Sequence, residues 1–407
     1  MEVKFETIEG RSRSFYLLLA VLALLALPGV YSTYLMYEHG IYLSGMTNRI
    51  PWGLQIIMAV FYIGLSAGSL VISSLYGIFG KIEYKPFARI AVYMALLLLI
   101  AALLSILTDL GRLDNLQSSF SHFNFLSMLS INPFLYNTYI LICIVYLWAM
   151  LQEKDSLVRV MALVAVLWAI LVHSGTGAIF GFVPRELYQS ALLPPSFIAA
   201  ALSSGTALMI LIILSLFKIT KRPLDDELVV RLGKLLAVFV VVVMYFIFVE
   251  NSYRLYLAES REAACFFLFS GVIGTVFWVG LVLVGSVIPA VLLFNTRTGK
   301  SIRWIVISSV LVVFGVLCER YLIVIPGQTH KPELLPGMEI TSSAFQEGNV
   351  TYYMSIYEVF QAIGVAAIIG FAFVMGLSLM RLVPQEARIY EQPNSAKSPV
   401  TERIIDA

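Results

Sequence analysis

The sequence predicts an all-α polytopic membrane protein with ten transmembrane helices and both termini in the cytoplasm. Three observations carry this: ten long apolar stretches, loops whose Lys and Arg alternate between crowded and sparse, and an extreme composition. Of 407 residues, 59% are hydrophobic and 13% charged, with a mean hydropathy of +0.88. No ordinary soluble domain of this length has that balance. A net charge of +2 gives no reason to expect nucleic acid as a partner.

About 20 predominantly apolar residues are needed to cross roughly 30 Å of hydrocarbon. The first span, 15–37, is too long for the apolar region of a signal peptide and lacks a small-residue cleavage site, so it is expected to stay as a helix. The second, 53–79, carries Gly64 and Gly68 in a G-x-x-x-G spacing. The third, 87–108, runs into Asp109-Leu-Gly-Arg112. The fourth and fifth, 134–151 and 158–182, follow, the latter with His173 and the glycines 175, 177 and 181. The sixth, 195–217, holds Gly205. The seventh, 231–250, ends at Glu250, and the eighth, 264–294, contains Gly271, Gly274 and Gly280. The ninth, 303–325, includes Glu319 and Arg320, and the tenth, 354–380, begins near Glu358. Small residues let helix backbones approach closely where lipid offers no hydrophobic drive for association. Residues 1–14 and 384–407 are expected to be cytoplasmic segments flanking a membrane domain of 15–383, the second of them polar and mobile.

Twenty Lys and Arg fall in the N-terminal segment, alternate loops and the C-terminal tail. The opposite face has seven: Arg49, Arg112, Arg185, Arg254, Arg261, Arg320 and Lys331. Basic residues are retained on the cytoplasmic side during insertion. That split places both termini inside, which requires an even number of spans.

The ionisable residues within or beside the spans then gather on the outer side: Glu38, His39, Asp109, Arg112, His173, Glu250, Glu319, Arg320 and Glu358. Asn48, Arg49, Trp52, Arg185, Glu186 and Tyr188 join them from the loops. The inner halves offer mainly Ser and Thr, such as Ser69, Ser73 and Ser74. Charge inside a bilayer is costly and marks sites or paths, so the chemistry is expected near the outer surface. Each residue also has a plainer reading. Asp109 and Arg112 are spaced to close a helix end as an ion pair, and Trp52 suits an aromatic belt. His173 alone fits a hydrogen-bonded core position. Glu319 and Arg320, adjacent on a helix, leave it on different sides and each needs a partner elsewhere.

Cys143, Cys265 and Cys318 all lie within spans, with no C-x-x-C to hold a cluster or zinc. Of four histidines only His173 sits well inside a span, which is too few for a bis-histidine haem. The protein is expected to carry no metal, haem or iron–sulfur cluster.

Two stretches, Phe61–Gly68 and Phe197–Gly205, are alike and both run from outside to inside, which hints at two parallel four-helix units with two extra helices. The run Gly45-Met-Thr-Asn-Arg-Ile-Pro-Trp-Gly53, leading into Phe61-Tyr-Ile-Gly-Leu-Ser-Ala-Gly68 and then Asp109-Leu-Gly-Arg112, resembles the NrfD-like family typified by the polysulfide reductase membrane subunit. His173-Ser-Gly-Thr-Gly, Ser190-Ala-Leu-Leu-Pro-Pro-Ser-Phe197, Arg320, Ile325-Pro-Gly-Gln328 and Tyr357-Glu358 resemble its ten-span branch, which contains the HybB and DsrP subunits. The likeness extends from about residue 38 to 360.

The resemblance implies a membrane subunit that is not catalytic alone and binds a quinone, menaquinone or ubiquinone, near the outer surface. It exchanges electrons there with a four-cluster ferredoxin-like iron–sulfur subunit of a respiratory or sulfur-metabolism oxidoreductase complex in the cell membrane. The implied quinone residues are Glu38, His39, Asn48, Arg49, Trp52, Asp109 and Arg112, with Glu38 and His39 carried by position only. Their types suit quinone chemistry: His39, Asn48 and Arg49 are donors for carbonyl oxygens, and Trp52 offers a ring face. Asp109 and His39 are the candidate proton carriers, and Arg112 would steady negative charge on the ring. With protons and electrons exchanged on one side, turnover is expected to be electroneutral.

Two loops are candidates for docking a partner or shaping the pocket mouth: Pro326–Tyr352, and Leu113–Pro133 as a re-entrant or interfacial segment. A secondary transporter or proton-translocating channel subunit shares the even span count and buried charge, but places substrate near the midplane on broken helices. A structural anchor leaves Asp109, Arg112, Glu319, Arg320 and Glu358 without a role.

Overall fold

The computed structural model describes residues 3–10, 12–111, 121–331 and 348–387. Among them are ten helices long and apolar enough to cross a membrane: α1 (Arg13–His39), α2 (Leu54–Gly77), α3 (Lys85–Asp109), α4 (Met128–Leu151), α5 (Asp155–Gly181), α6 (Leu193–Thr220), α7 (Asp226–Tyr256), α8 (Gly271–Phe294), α9 (Ile302–Val324) and α10 (Ile356–Leu379). The protein is an all-α, multi-pass membrane protein.

Helices α2 to α5 close into one ring of four, and α6 to α9 into a second. The rings join mainly where α2 packs on α6, with α5 against α6 and α2 against α9 alongside. The two glycines matched in sequence mark the crossing: a Cβ on Gly68 would collide with the Gly205 backbone, and a Cβ on Gly205 with that of Gly68. Helix α1 touches the rest chiefly through α10, crossing it at Gly29 and Gly364. Its remaining surface, including Leu17, Leu24, Leu27 and Tyr31, is exposed and apolar, as a lipid-facing helix requires.

Two expected boundaries are corrected. The span at 264–294 is broken: a short helix, Arg261–Phe269, ends at Ser270, and Gly271 takes φ +37°, a left-handed turn that favours glycine. From there α8 runs with residues Val276–Val287 wound as π-helix, where the Ser286 hydroxyl donates to the carbonyl of Leu281, five residues back. The fourth span begins at Met128, not 134. Pro133 is therefore inside the helix, and Asn132 holds its start by donating from Nδ2 to Met128 O and to Gly175 O of α5. The segment expected to be re-entrant is thus helical from Met128 onward, and its residues 113–120 lie outside the described residues.

The first and last described segments meet on one face of the bundle. Strand β1 (Phe5–Glu6) pairs antiparallel with β2 (Val383–Pro384), Phe5 opposite Pro384. Arg222, after α6, donates to the carbonyls of Val383 and Pro384 and pairs with Glu6 at 3.3 Å. Ala387 bonds Pro223 and Asp225, so the first residues of the expected mobile tail are tied to the α6–α7 turn. Residues 388–407 lie outside the described residues.

Candidate functional site

On the face opposite β1 and β2, the loop 45–54 drops into the bundle and is held by a carboxylate from α10. Glu358 is 2% exposed. Its Oε2 accepts from the backbone N–H of Gly45 at 2.9 Å and of Ser355 at 2.9 Å. Its Oε1 accepts from Leu54 N at 3.2 Å and from the Tyr352 hydroxyl at 2.7 Å. Leu54 opens α2, so the charge also sits against the positive end of that helix. Gln55 donates to the Glu358 carbonyl at 2.8 Å. Burial and the neighbouring Glu358 carboxylate push the Tyr352 hydroxyl well above its ordinary range, so it keeps its proton and donates. Glu358, read from sequence as a marker of the site, is a satisfied anchor for the loop.

Trp52 is locked by Gln328. The Trp52 N–H donates to Gln328 Oε1 at 2.9 Å, and Gln328 Nε2 donates to Trp52 O at 3.1 Å and Val324 O at 2.8 Å. Its ring meets Phe180 edge-on, 5.4 Å between centroids, and Tyr188 at 6.1 Å. The Tyr188 hydroxyl donates to Val324 O. Trp52 is therefore half-buried in an aromatic nest and is not a free belt residue. Sequence reading did not foresee the roles of Gln328 and Tyr352, whose partners in the loop lie hundreds of residues away.

Asp109 ends α3 close enough to Glu358 and Tyr352 to interact electrostatically with them. Its Oδ1 is buried and has no hydrogen-bond partner among the described residues. Buried polar atoms are almost always paired, so this oxygen is available to a ligand or its proton. Arg112 lies outside the described residues. Arg49 is half-buried and donates from Nη2 to Gly348 O, while Asn48 is exposed. Glu38 and His39 are exposed at the end of α1, and neither makes a side-chain hydrogen bond among the described residues. The backbone just beyond them returns to the site, for Ile41 packs over Gly111, two residues after Asp109. Arg49 and Trp52 thus belong to loop 45–54 itself and Asp109 stands near Glu358, which holds that loop, while Glu38, His39 and Asn48 are exposed.

Deeper in, Arg320 of α9 points between α2 and α6. It is 0% exposed, lies 4.3 Å over the Phe197 ring and faces Gly64, where a Cβ would come within 3.6 Å of its Nη2. None of its three guanidinium nitrogens has a hydrogen-bond partner among the described residues, and Glu319 Oε1 is 4.0 Å away. His173 stands nearby with Nδ1 2.8 Å from Ala169 O and Nε2 3.1 Å from Ile63 O. A neutral imidazole donates through only one nitrogen, so one of these contacts lacks a proton unless the ring is charged. Gly64 is ten residues into α2, about 15 Å along the axis, which puts this cation near mid-membrane.

Residues 42–332 match the family model described as "Polysulphide reductase, NrfD". The protein belongs to the NrfD family. It is 41% identical to the Hdr-like menaquinol oxidoreductase integral membrane subunit of Archaeoglobus fulgidus, over 95% of this sequence and 98% of that protein. It is 26% identical to a subunit of the selenate reductase of Mesobacillus selenatarsenatis, over 91% and 95%. To a polysulfide reductase subunit of Wolinella succinogenes the identity is 23%, over 69% of this sequence and 96% of that one.

The NrfD match, 42–332, coincides with the eight helices of the two rings plus the loop before α2, and leaves α1 and α10 outside. The loop anchor Glu358 therefore comes from an element beyond the matched core. In this NrfD protein the tenth helix does part of the work of shaping the site.

Proposed function

We propose that this NrfD protein is the quinone-interacting membrane subunit of a multisubunit oxidoreductase, that the quinone ring lies beneath loop 45–54 against Trp52, and that Asp109 exchanges its protons. The observation carrying this is the orphaned, buried Asp109 Oδ1 beside a loop held by a carboxylate whose two oxygens are already occupied. The residues fit such a ligand. Its carbonyls need donors, supplied by Arg49 and by Asn48 at the rim. Its ring needs a flat apolar wall, supplied by Trp52, and its protons need a carrier in contact with the outer surface. Quinone bound here supplies two-electron chemistry. Menaquinone is the favoured pool, on the 41% identity to a protein named as a menaquinol oxidoreductase subunit.

Electrons reach the site from an iron–sulfur subunit of the ferredoxin-like kind docked on the outer face, over the loops that follow α3 and α9. The alternation of basic residues supports that orientation. Turnover is electroneutral in this reading. The inner-half hydroxyls support it, because Ser69 and Ser74 donate back to their own helix at Leu65 O and Val71 O, and Ser73 pairs with Tyr146. The test is the purified complex carrying Asp109→Asn, assayed for quinol turnover and for quinone-dependent fluorescence quenching. The reading expects quenching to persist while turnover collapses. Normal turnover removes Asp109 from the site.

A further inference from the structure

A second cleft opens between α6, α7, α8 and α9. It lies in the other ring, away from Asp109. Its walls are apolar and aromatic, with Phe246, Phe267, Phe277, Leu281 and Leu322. Into it project side chains that are buried yet incompletely bonded. Glu319, whose side chain is 9% exposed, has Oε2 without a partner among the described residues. Arg254, 8% exposed, has Nε without one, and Asn251 has Oδ1 without one. The remaining polar contacts are made: Glu250 accepts from Ser190 Oγ at 2.7 Å and pairs with Arg254 at 2.7 Å, and Arg254 Nη2 donates to Leu187 O at 3.0 Å.

We infer that this cleft is a second binding site for a quinone or quinol ring, distinct from the one beside Asp109. Three features select that class of ligand. The free atoms include two acceptors, Glu319 Oε2 and Asn251 Oδ1, and one donor, Arg254 Nε–H, which together match a ring bearing hydroxyl and carbonyl oxygens. The carboxylates Glu250 and Glu319 are balanced by Arg254 and Arg320, so a neutral head is favoured. A phosphate head would instead be set against two carboxylates. The apolar lining with few convergent polar groups is that of a small-molecule pocket. The position is also quasi-equivalent to the first site: Glu250 stands near the end of the second helix of its ring, as Asp109 ends the second helix of its own. The choice of ligand rests on the reading that this protein handles quinones, whereas the cleft and its orphaned atoms do not.

The test uses the purified complex in detergent, labelled with a photoreactive azidoquinone and mapped by mass spectrometry. Labelled peptides are expected from two places, around residues 45–54 and from α7 or α9. Glu319→Gln, and independently Asn251→Leu as a variant that leaves the charges in place, should each cut labelling of α7 and α9 roughly tenfold, the scale of losing one buried hydrogen bond. Labelling near 45–54 should be unchanged in both. Label near 45–54 alone overturns the second site and leaves the first intact. Label in α7 or α9 alone supports the second site and removes the first. Label in neither place, or a phospholipid found crosslinked in the cleft, overturns the inference.

Discussion

The two four-helix rings end alike on one membrane face and differ in which of their carboxylates are spent. Beside the first ring Glu358 of the flanking α10 has its two oxygens filled by four donors, while Asp109 of the ring keeps a bare one. In the second, Glu250 is filled by Ser190 and Arg254, while Glu319 keeps a bare one. A buried carboxylate with all its partners fixes backbone. One that lacks a partner carries an unmet desolvation cost that a ligand can offset. Charge inside the bilayer therefore divides into scaffold and site by hydrogen bonding, and not by depth.

The comparison breaks most sharply at its scaffold. Glu358→Ala takes the acceptor from the N–H groups of Gly45 and Ser355 and from the Tyr352 O–H in a buried place, and should cost about 3 kcal/mol or more, with quinol turnover largely lost. Thermal unfolding of the detergent-solubilised protein measures it. An unchanged midpoint would show that the loop stands without its anchor.

Next in size is the bare oxygen of the first ring. Asp109→Asn should lower turnover by about 10²-fold or more, the usual contribution of a positioned proton carrier, with the thermal midpoint hardly moved. A matching loss of stability would mean that Asp109 is scaffold after all. In proteoliposomes the wild-type reaction should build no membrane potential, and a potential from this protein's quinone step alone would refute one-sided exchange.

Smaller still is Trp52→Ala. It removes the edge-on contact with Phe180 and a wall of the pocket, and should raise KM for quinol roughly tenfold at similar kcat. A fall in kcat at constant KM would place Trp52 in the chemistry and not in binding.

The smallest effect belongs to the surface. Lys331 bonds Glu262 at 2.8 Å and holds that carboxyl below its ordinary value. A depressed carboxylate contributes stability above its unfolded pKa and loses it as pH falls through the folded one. The slight stability difference between wild type and Lys331→Ala should thus vanish below about pH 4, and also at high salt. A difference that persists under both conditions would assign Lys331 another role.

Much of this was legible in the sequence. The ten helices follow from runs of apolar residues long enough to cross a bilayer, and the pairing of Gly68 with Gly205 was foreshadowed by two similar nonpolar stretches. The break at Gly271 was not, because an uninterrupted apolar run reads the same whether or not the backbone turns once within it. Trp52 is fixed within loop 45–54 by Gln328, and Asp109 stands near Glu358, which holds that loop. Glu38 and His39, carried by position alone, end exposed at its rim, since where a helix's last turn points depends on what packs against it.

By itself the sequence determined the number of spans and which ionisable groups enter them, because both depend on local composition against the fixed thickness of a membrane. Only the tertiary structure decided which of those groups are satisfied. Glu358 finds its donors at Gly45 and Leu54, some 300 residues away, and Glu319 finds none for Oε2 among the described residues. Hydrogen bonds are short and directional, so partners that distant in sequence become legible only once the helices are packed.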